Sequence, residues 1–244
     1  MKSLKSLNKN VEKEYLECER LLIFAGLMGA AGFLGAYTYN LRGGVFCNAQ
    51  TANFVLLAME IGKGNWGGAA YLIIPISAYF LGAVISEAIP ISVRKTGFMR
   101  WDTILVGIEV IVTFLLGFLP ESAPYQITQV AVNFICSMQY NTFRQAEGTP
   151  MATTFCTNHL RQVGIHLVKW RRKGDDGSLR RSLKHLYMLG FFVGGGIIST
   201  ILCRLFLGKA IWGASIILIV LFIDLLHADL TIERNLLSKA PMGH

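Results

Sequence analysis

The sequence predicts an all-α fold, a bundle of helices crossing a membrane repeatedly, and three observations carry that expectation. The 244-residue chain is 53% hydrophobic and 16% charged, with a mean hydropathy of +0.47. Apolar stretches of about the 20 residues needed to cross a hydrocarbon core recur along its length. Two segments rich in amide and hydroxyl side chains, GGVFCNAQTANF (43–54) and TPMATTFCTNHL (149–160), sit among those stretches in matching positions.

In chain order, residues 1–20 are too polar for a cleaved signal peptide and form an N-terminal tail. Leu21 to Tyr39 carries no charge and is the first span. Val45 to Gly62 is apolar behind a polar head. Ala69 to Ile91 and Ile104 to Leu119 are further spans. Ile127 to Phe143 is a buried span, because Gln129, Asn133, Gln139 and Asn141 need protein neighbours. Met151 to Trp170 is the second polar-headed segment. Leu186 to Leu202 and Ala210 to Leu226 complete the set, and residues 230–244 form a C-terminal tail.

If both polar-headed segments dip in and return, the chain has six spans plus two re-entrant or broken helices, with both termini cytoplasmic. Of the basic residues, only Arg42, Lys63, Arg204 and Lys209 then lie outside. The alternative, eight spans, moves Arg94, Lys95, Arg100 and Arg144 outside and fits the positive-inside rule less well. A slide of 106 residues lays Thr51 on Thr157 and Asn53 on His159. A longer loop then sets LGAVIS (81–86) against GGGIIS (194–199). Two membrane repeats follow, 21–119 and 120–229. Six spans make them inverted, as in many transporters and channels, and eight would make them parallel.

The net charge of +8 fits cytoplasmic loops of a membrane protein and excludes nucleic acid as the partner it would suggest in a soluble chain. Cys18, Cys47, Cys136, Cys156 and Cys203 form no CxxC and no disulfide or metal framework, so no metal or cofactor is implied. No Ser/His/Asp set and no phosphate-cradling loop is visible, which argues against an enzyme.

On a helical wheel Asn48, Gln50, Thr51 and Asn53 point to all sides, so lipid cannot surround them and protein or water must. Gly43 and Gly44 suit a turn where the backbone enters the membrane. A helix starting at depth exposes unpaired N–H groups and a positive dipole end. Thr153, Thr154, Thr157, Asn158 and His159 repeat that chemistry in the second copy. These residues are the candidate solute-binding set, with helix–helix glue as the plain alternative. Glu109, deep in its span, is the candidate coupling group, or else the partner of a buried base. The glycines at 26, 29, 32 and 35 and at 194–196 read as close helix packing. His159, Gln162, His166 and Lys169 share one helical face, read as wetted by the cytoplasm. The run KWRRKGDDGSLRRSLK is a basic cytoplasmic loop suited to anionic lipid.

The stretches GFLGAYTYNLRGGVFCNAQTANFVLLAMEIGKGNW and CSMQYNTFRQAEGTPMATTFCTNHLRQ resemble the YoaK family, bacterial membrane proteins with a domain of unknown function. The similarity runs from Leu21 to about Leu226. It implies an integral protein of the bacterial cytoplasmic membrane, about six spans and no established activity. Gly35 stands where the family signature has an aspartate, Ala52 where it has glycine, and Asn158 and His159 where it has Gly-Asn. The expected function is a small-solute transporter or channel with a midplane site at the paired polar tips. The alternative is a non-transporting membrane protein that binds a partner or lipid. The partners implied are membrane lipid, a small-molecule or ion solute, and further copies of the chain.

Overall fold

A computed structural model describes residues 15–242, with backbone alone at 94–96; most of the expected N-terminal tail, through residue 14, and the last two residues lie outside it. Almost everything described is helix. The long helices are α1 (Leu21–Leu41), α2 (Gln50–Gly62), α3 (Trp66–Ala88), α5 (Trp101–Leu116), α6 (Tyr125–Thr142), α7 (Thr157–Lys173), α8 (Asp176–Phe206) and α9 (Trp212–His227). A short α4 (Pro90–Thr96) starts on a proline, whose missing N–H costs nothing at a helix start, and stops at Gly97 with φ +61°. Gln145–Ala146 and Thr149–Pro150 pair as a small hairpin, β1 and β2.

Three helical stretches are long and apolar enough to cross a membrane: Leu21–Leu41, Trp66–Val93 and Asp176–Ile232, the last bent by the 3-10 turn at Leu207–Ile211. Such lengths and compositions are compatible with a membrane protein. The apolar residues turned outward on α3, α8 and α9, Phe80, Val193 and Val220 among them, agree with a lipid surrounding.

The two most extensive helix pairs are α1 along α8 and α3 along α6. Glycine permits both. A Cβ on Gly32 would come within 2.0 Å of the Phe192 carbonyl oxygen, and one on Gly195 within 2.0 Å of that of Gly29. On the other pair, a Cβ on Gly82 would meet the Phe134 carbonyl oxygen at 2.5 Å. Backbones this close gain dispersion contact that larger residues would forbid. α2 leans on α3, α7 on α8, and α5 on α9. Apolar α1, buried on nearly every side, is the central post.

The two ends of the bundle differ in chemistry. At one, the buried Arg42 guanidinium contacts the Tyr37 hydroxyl and Glu121, and Glu121 accepts from the Gly208 N–H. At the other, Arg100 pairs with Asp229 and Glu233 and donates to the carbonyls of Leu236 and Lys239. The described parts of both expected tails are drawn into this second end. Leu16, Glu17, Cys18 and Glu19 are buried, and the Glu17 N–H donates to Glu233. Ion pairing and backbone hydrogen bonds offset the cost of burying those charges, so the first and last described segments dock together at this end of the bundle.

Both polar-headed helices begin later than their apolar pattern suggests. α2 starts at Gln50 rather than near Val45, because Gly43 (φ +84°) and Gly44 (φ +68°) reverse the chain and Ala49 is extended. A side chain at 43 would also meet Gln129 Nε2 at 2.9 Å. α7 starts at Thr157 because the hairpin precedes it. Glu147 (φ +45°) and Gly148 (φ +70°) make the left-handed turn that a two-residue hairpin loop needs.

Candidate functional site

The two polar segments meet. Asn48 Nδ2 donates to the Thr154 carbonyl oxygen at 3.1 Å and to the Ala31 carbonyl oxygen at 3.4 Å. Two carbonyls on one side fix the orientation of that amide, because only its nitrogen can donate to them. Ala31 is the middle residue of α1. Gln50 Nε2 donates to Asn133 Oδ1, and Asn133 stands midway along α6. The start of α2 is thereby held at half the height of two neighbouring helices.

Each segment closes on its own helix with the same spacing. Asn53 Nδ2 reaches the Phe46 carbonyl oxygen at 3.5 Å, and His159 Nε2 the Ala152 carbonyl oxygen at 2.8 Å. In both cases a residue in the first turn of the helix holds the carbonyl seven positions earlier. Asn53 also donates to Gln50 Oε1. On the second segment Gln139 Nε2 donates to the Thr153 carbonyl oxygen at 3.2 Å. Neither α2 nor α7 has a side-chain N-cap, so their first N–H groups remain donors toward the junction.

Of the candidate residues, Asn48, Asn53, Thr153, Thr154 and His159 are buried, and Gln50 is half-buried. Thr51 and Thr157 are exposed, and half-buried Asn158 accepts from Arg161, away from the junction. The Asn48 Oδ1, Asn53 Oδ1 and Thr153 Oγ1 atoms are buried with no hydrogen-bond partner among the described residues, as is Gln129 Oε1 further along α6, while the Thr154 hydroxyl has Tyr79 as a neighbour. A cluster of orphaned buried oxygens is costly unless something binds there. Glu109 stands apart on α5, 1% exposed, with neither carboxyl oxygen hydrogen-bonded. Cys136 of α6 lies within electrostatic reach of both Glu109 and Cys47.

Partners of the tips on α6 were not assigned from sequence. Gln129 donates to the Arg42 carbonyl oxygen at 2.7 Å, and Asn133 donates back to that of Gln129. Their spacing of four was visible in the chain but not what they would face. Gly35 is a further such position. Asn48 Nδ2 and Oδ1 both lie 2.9 Å from where its Cβ would stand.

The histidine face of α7 differs from the wetted stripe its spacing suggested. His159 and His166 are buried against α8, and His185 of α8 joins them. His159 donates Nε2–H to a carbonyl, so its Nδ1 accepts, and His185 Nδ1 supplies the proton at 3.0 Å. Gln162 is half-buried and Lys169 exposed. Among the described residues no group of His, Cys, Asp and Glu has a geometry suited to a metal.

The model of a family described as "Protein of unknown function (DUF1275)" matches residues 23–223. No curated protein and no solved structure matches the chain. With every long helix inside that match apart from the first two residues of α1 and the last four of α9, the chain belongs to the DUF1275 family.

Proposed function

We propose that the protein is a small-solute transporter or channel of the bacterial cytoplasmic membrane whose binding site lies where the two polar tips meet. The observation that carries this is the Asn48–Thr154 contact at half the height of α1 and α6, surrounded by oxygens without partners. Broken helices that meet at mid-depth from two halves of a bundle are a common design for solute sites.

In this reading α1, α3, α5, α6, α8 and α9 are six spans, and α2 and α7 go halfway. α2 has 13 residues and is about 20 Å long, short of the roughly 30 Å hydrocarbon core. The repeats are inverted. The packing supports that symmetry, since α1 on α8 is mirrored by α6 on α3, and α2 on α3 by α7 on α8. Gly82 and Gly195, matched in the sequence repeat, play equivalent parts in the two main pairs. Glu109, a buried carboxyl without a partner, is the coupling group, holding a proton or meeting a cation. Both termini are cytoplasmic, and the resemblance to YoaK proteins belongs with the same reading.

The test is uptake into proteoliposomes by single variants. Gln50→Ala and Thr154→Ala are expected to abolish flux while the protein stays folded and inserted. Flux unchanged in both would remove the site from the tips.

A further inference from the structure

A groove of about 340 Å³ runs along the α1–α8 seam and touches both polar segments. Gly32 and Gly35 of α1 form its floor. Asn48, Phe155 and Thr157 close it at the tips, and Phe192 forms the α8 wall. The volume falls in the range of small-molecule sites, about 300–1,000 Å³. Val193 and Phe46 on its rim are exposed, so it opens sideways toward whatever surrounds the helices.

The chemistry of the lining is narrow. No lining residue carries a formal charge. Its walls are carbon apart from the tips. At the tips Asn48 is 3% exposed; its Nδ2 is committed to Ala31 and Thr154, and its Oδ1 has no partner. That oxygen is an acceptor awaiting a donor. Ala49 and Cys156, the uncapped positions where α2 and α7 begin, also line the groove, and the first N–H groups of both helices are donors awaiting an acceptor. An ion placed here would lose its hydration and find no countercharge, which costs far more than one or two hydrogen bonds return.

Resting on the midplane-site reading above, we infer that this groove selects an uncharged solute with an apolar, ring-sized body and an amide-like head bearing both an N–H donor and a carbonyl acceptor. The head lies between Asn48 Oδ1 and the helix starts, and the body lies over the glycine floor against Phe155 and Phe192. Entry is lateral, past Val193.

Three probes of one size and shape separate the possibilities: phenylacetamide, phenylacetate and phenethylammonium, each titrated at pH 8 against the full chain in lipid nanodiscs. Melting temperature and calorimetric binding are the readouts, since a ligand specific to the native state raises its stability. The amide is expected to bind and to raise the melting temperature, and the two ions are not. Asn48→Leu is expected to weaken the amide about tenfold, the worth of one hydrogen bond. Because that variant also loses a packing contact, Val193→Trp serves as a second. It fills the mouth of the groove, leaves every tip hydrogen bond in place, and is expected to block binding.

Equal or tighter binding of either ion, binding of the amide that survives both variants, or no binding of any probe would overturn the inference. Binding of the amide without protein-dependent flux in proteoliposomes would uphold the groove and sink the transport reading. Flux of a charged solute with no amide binding would do the reverse.

Discussion

Asn48 Nδ2 donates across the bundle to the backbone carbonyl oxygen of Thr154, 106 positions later, the same offset that lays Thr51 on Thr157 in the sequence. One donor that would be costly unpaired in an apolar interior is here satisfied by the other polar segment. The contact holds the starts of both helices level with the middle of α1, where losing it would leave a buried carbonyl unpaired.

Removing this donor has a definite cost. Asn48→Leu leaves the carbonyls of Thr154 and Ala31 without that partner in a buried place, expected to lower stability by about 1–3 kcal/mol. Asn48→Asp is expected to be worse, since an ionised carboxylate has no donor and would face two carbonyl oxygens. Thermal unfolding in nanodiscs should rank wild type above Asn48→Leu and Asn48→Leu above Asn48→Asp. An aspartate variant as stable as wild type would contradict the assigned orientation of the amide.

The glycines along the seams give a sharper contrast. Gly195→Ala puts a methyl group 2.0 Å from the Gly29 carbonyl oxygen, and Gly82→Ala does the like at 2.5 Å from that of Phe134. Backbone cannot rotate away as a side chain can, so each is expected to cost about 3 kcal/mol or more by overpacking. Gly194→Ala, one residue from Gly195, meets nothing within 4 Å and is expected to be neutral or slightly stabilising. Yields of folded protein and melting temperatures of the three variants check the contrast. Equal behaviour of Gly194→Ala and Gly195→Ala would mean that the α1–α8 seam is looser than described.

Gly32 and Gly195, like the polar tips, were legible in the chain because each breaks a local rule, whereas Gly194, read with them, packs on nothing. A ladder of small residues and a cluster of amides inside an apolar run both demand tertiary partners. What the partners would be was less visible. Gln129 and Asn133 follow a spacing of four, which suits any helix–helix contact equally well, so nothing marked them as the α6 wall of the tips. His185 carried no signal, being a single histidine in a long helix, and the burial of His159 and His166 followed from it. Nor did anything in the chain mark Glu17, Glu19 and Glu233 as parts of the base around Arg100, because the residues that meet there lie far apart in sequence.

Acid is expected to destabilise the protein in two stages. Burial, together with the positive charges of Lys169 and Arg181, holds the His166 imidazole below the ordinary histidine value, against the opposing pull of Asp175; His185 stacks beside it. A depressed histidine contributes stability above its unfolded pKa of about 6.5, and that contribution falls away as pH drops below it. Glu147 titrates lower. Burial raises its carboxyl, but hydrogen bonds from Lys184 and the Leu21 N–H, with Arg20 nearby, more than reverse this. Its contribution is present above the unfolded value of about 4.3 and lost as pH falls through the folded one. Melting temperatures measured from pH 8 to pH 4 should show both stages. His166→Gln is expected to reduce the first without moving the second, and Glu147→Gln to flatten the second without moving the first.

The depth of α2 can be decided by labelling one position. If α2 starts at mid-depth and returns, the loop after it emerges at the face that holds Arg42, Glu121 and Lys209, opposite the base formed around Arg100. A full crossing would instead put that loop at the base. Lys63, with its side chain 60% exposed, is well placed to report the difference. Among the native cysteines Cys18, Cys47, Cys136 and Cys203 are buried and all five are free, so only half-buried Cys156 needs replacing by serine to lower the background. In intact cells a membrane-impermeant maleimide is expected to label Lys63→Cys at once and Lys173→Cys only after permeabilisation. Lys173 lies on the cytoplasmic side whether α2 and α7 both go halfway or both cross, so it controls for permeability. Labelling of Lys63→Cys only after permeabilisation would require α2 to span the bilayer, leaving Asn48 and Thr154 at different depths and the midplane site without its geometry.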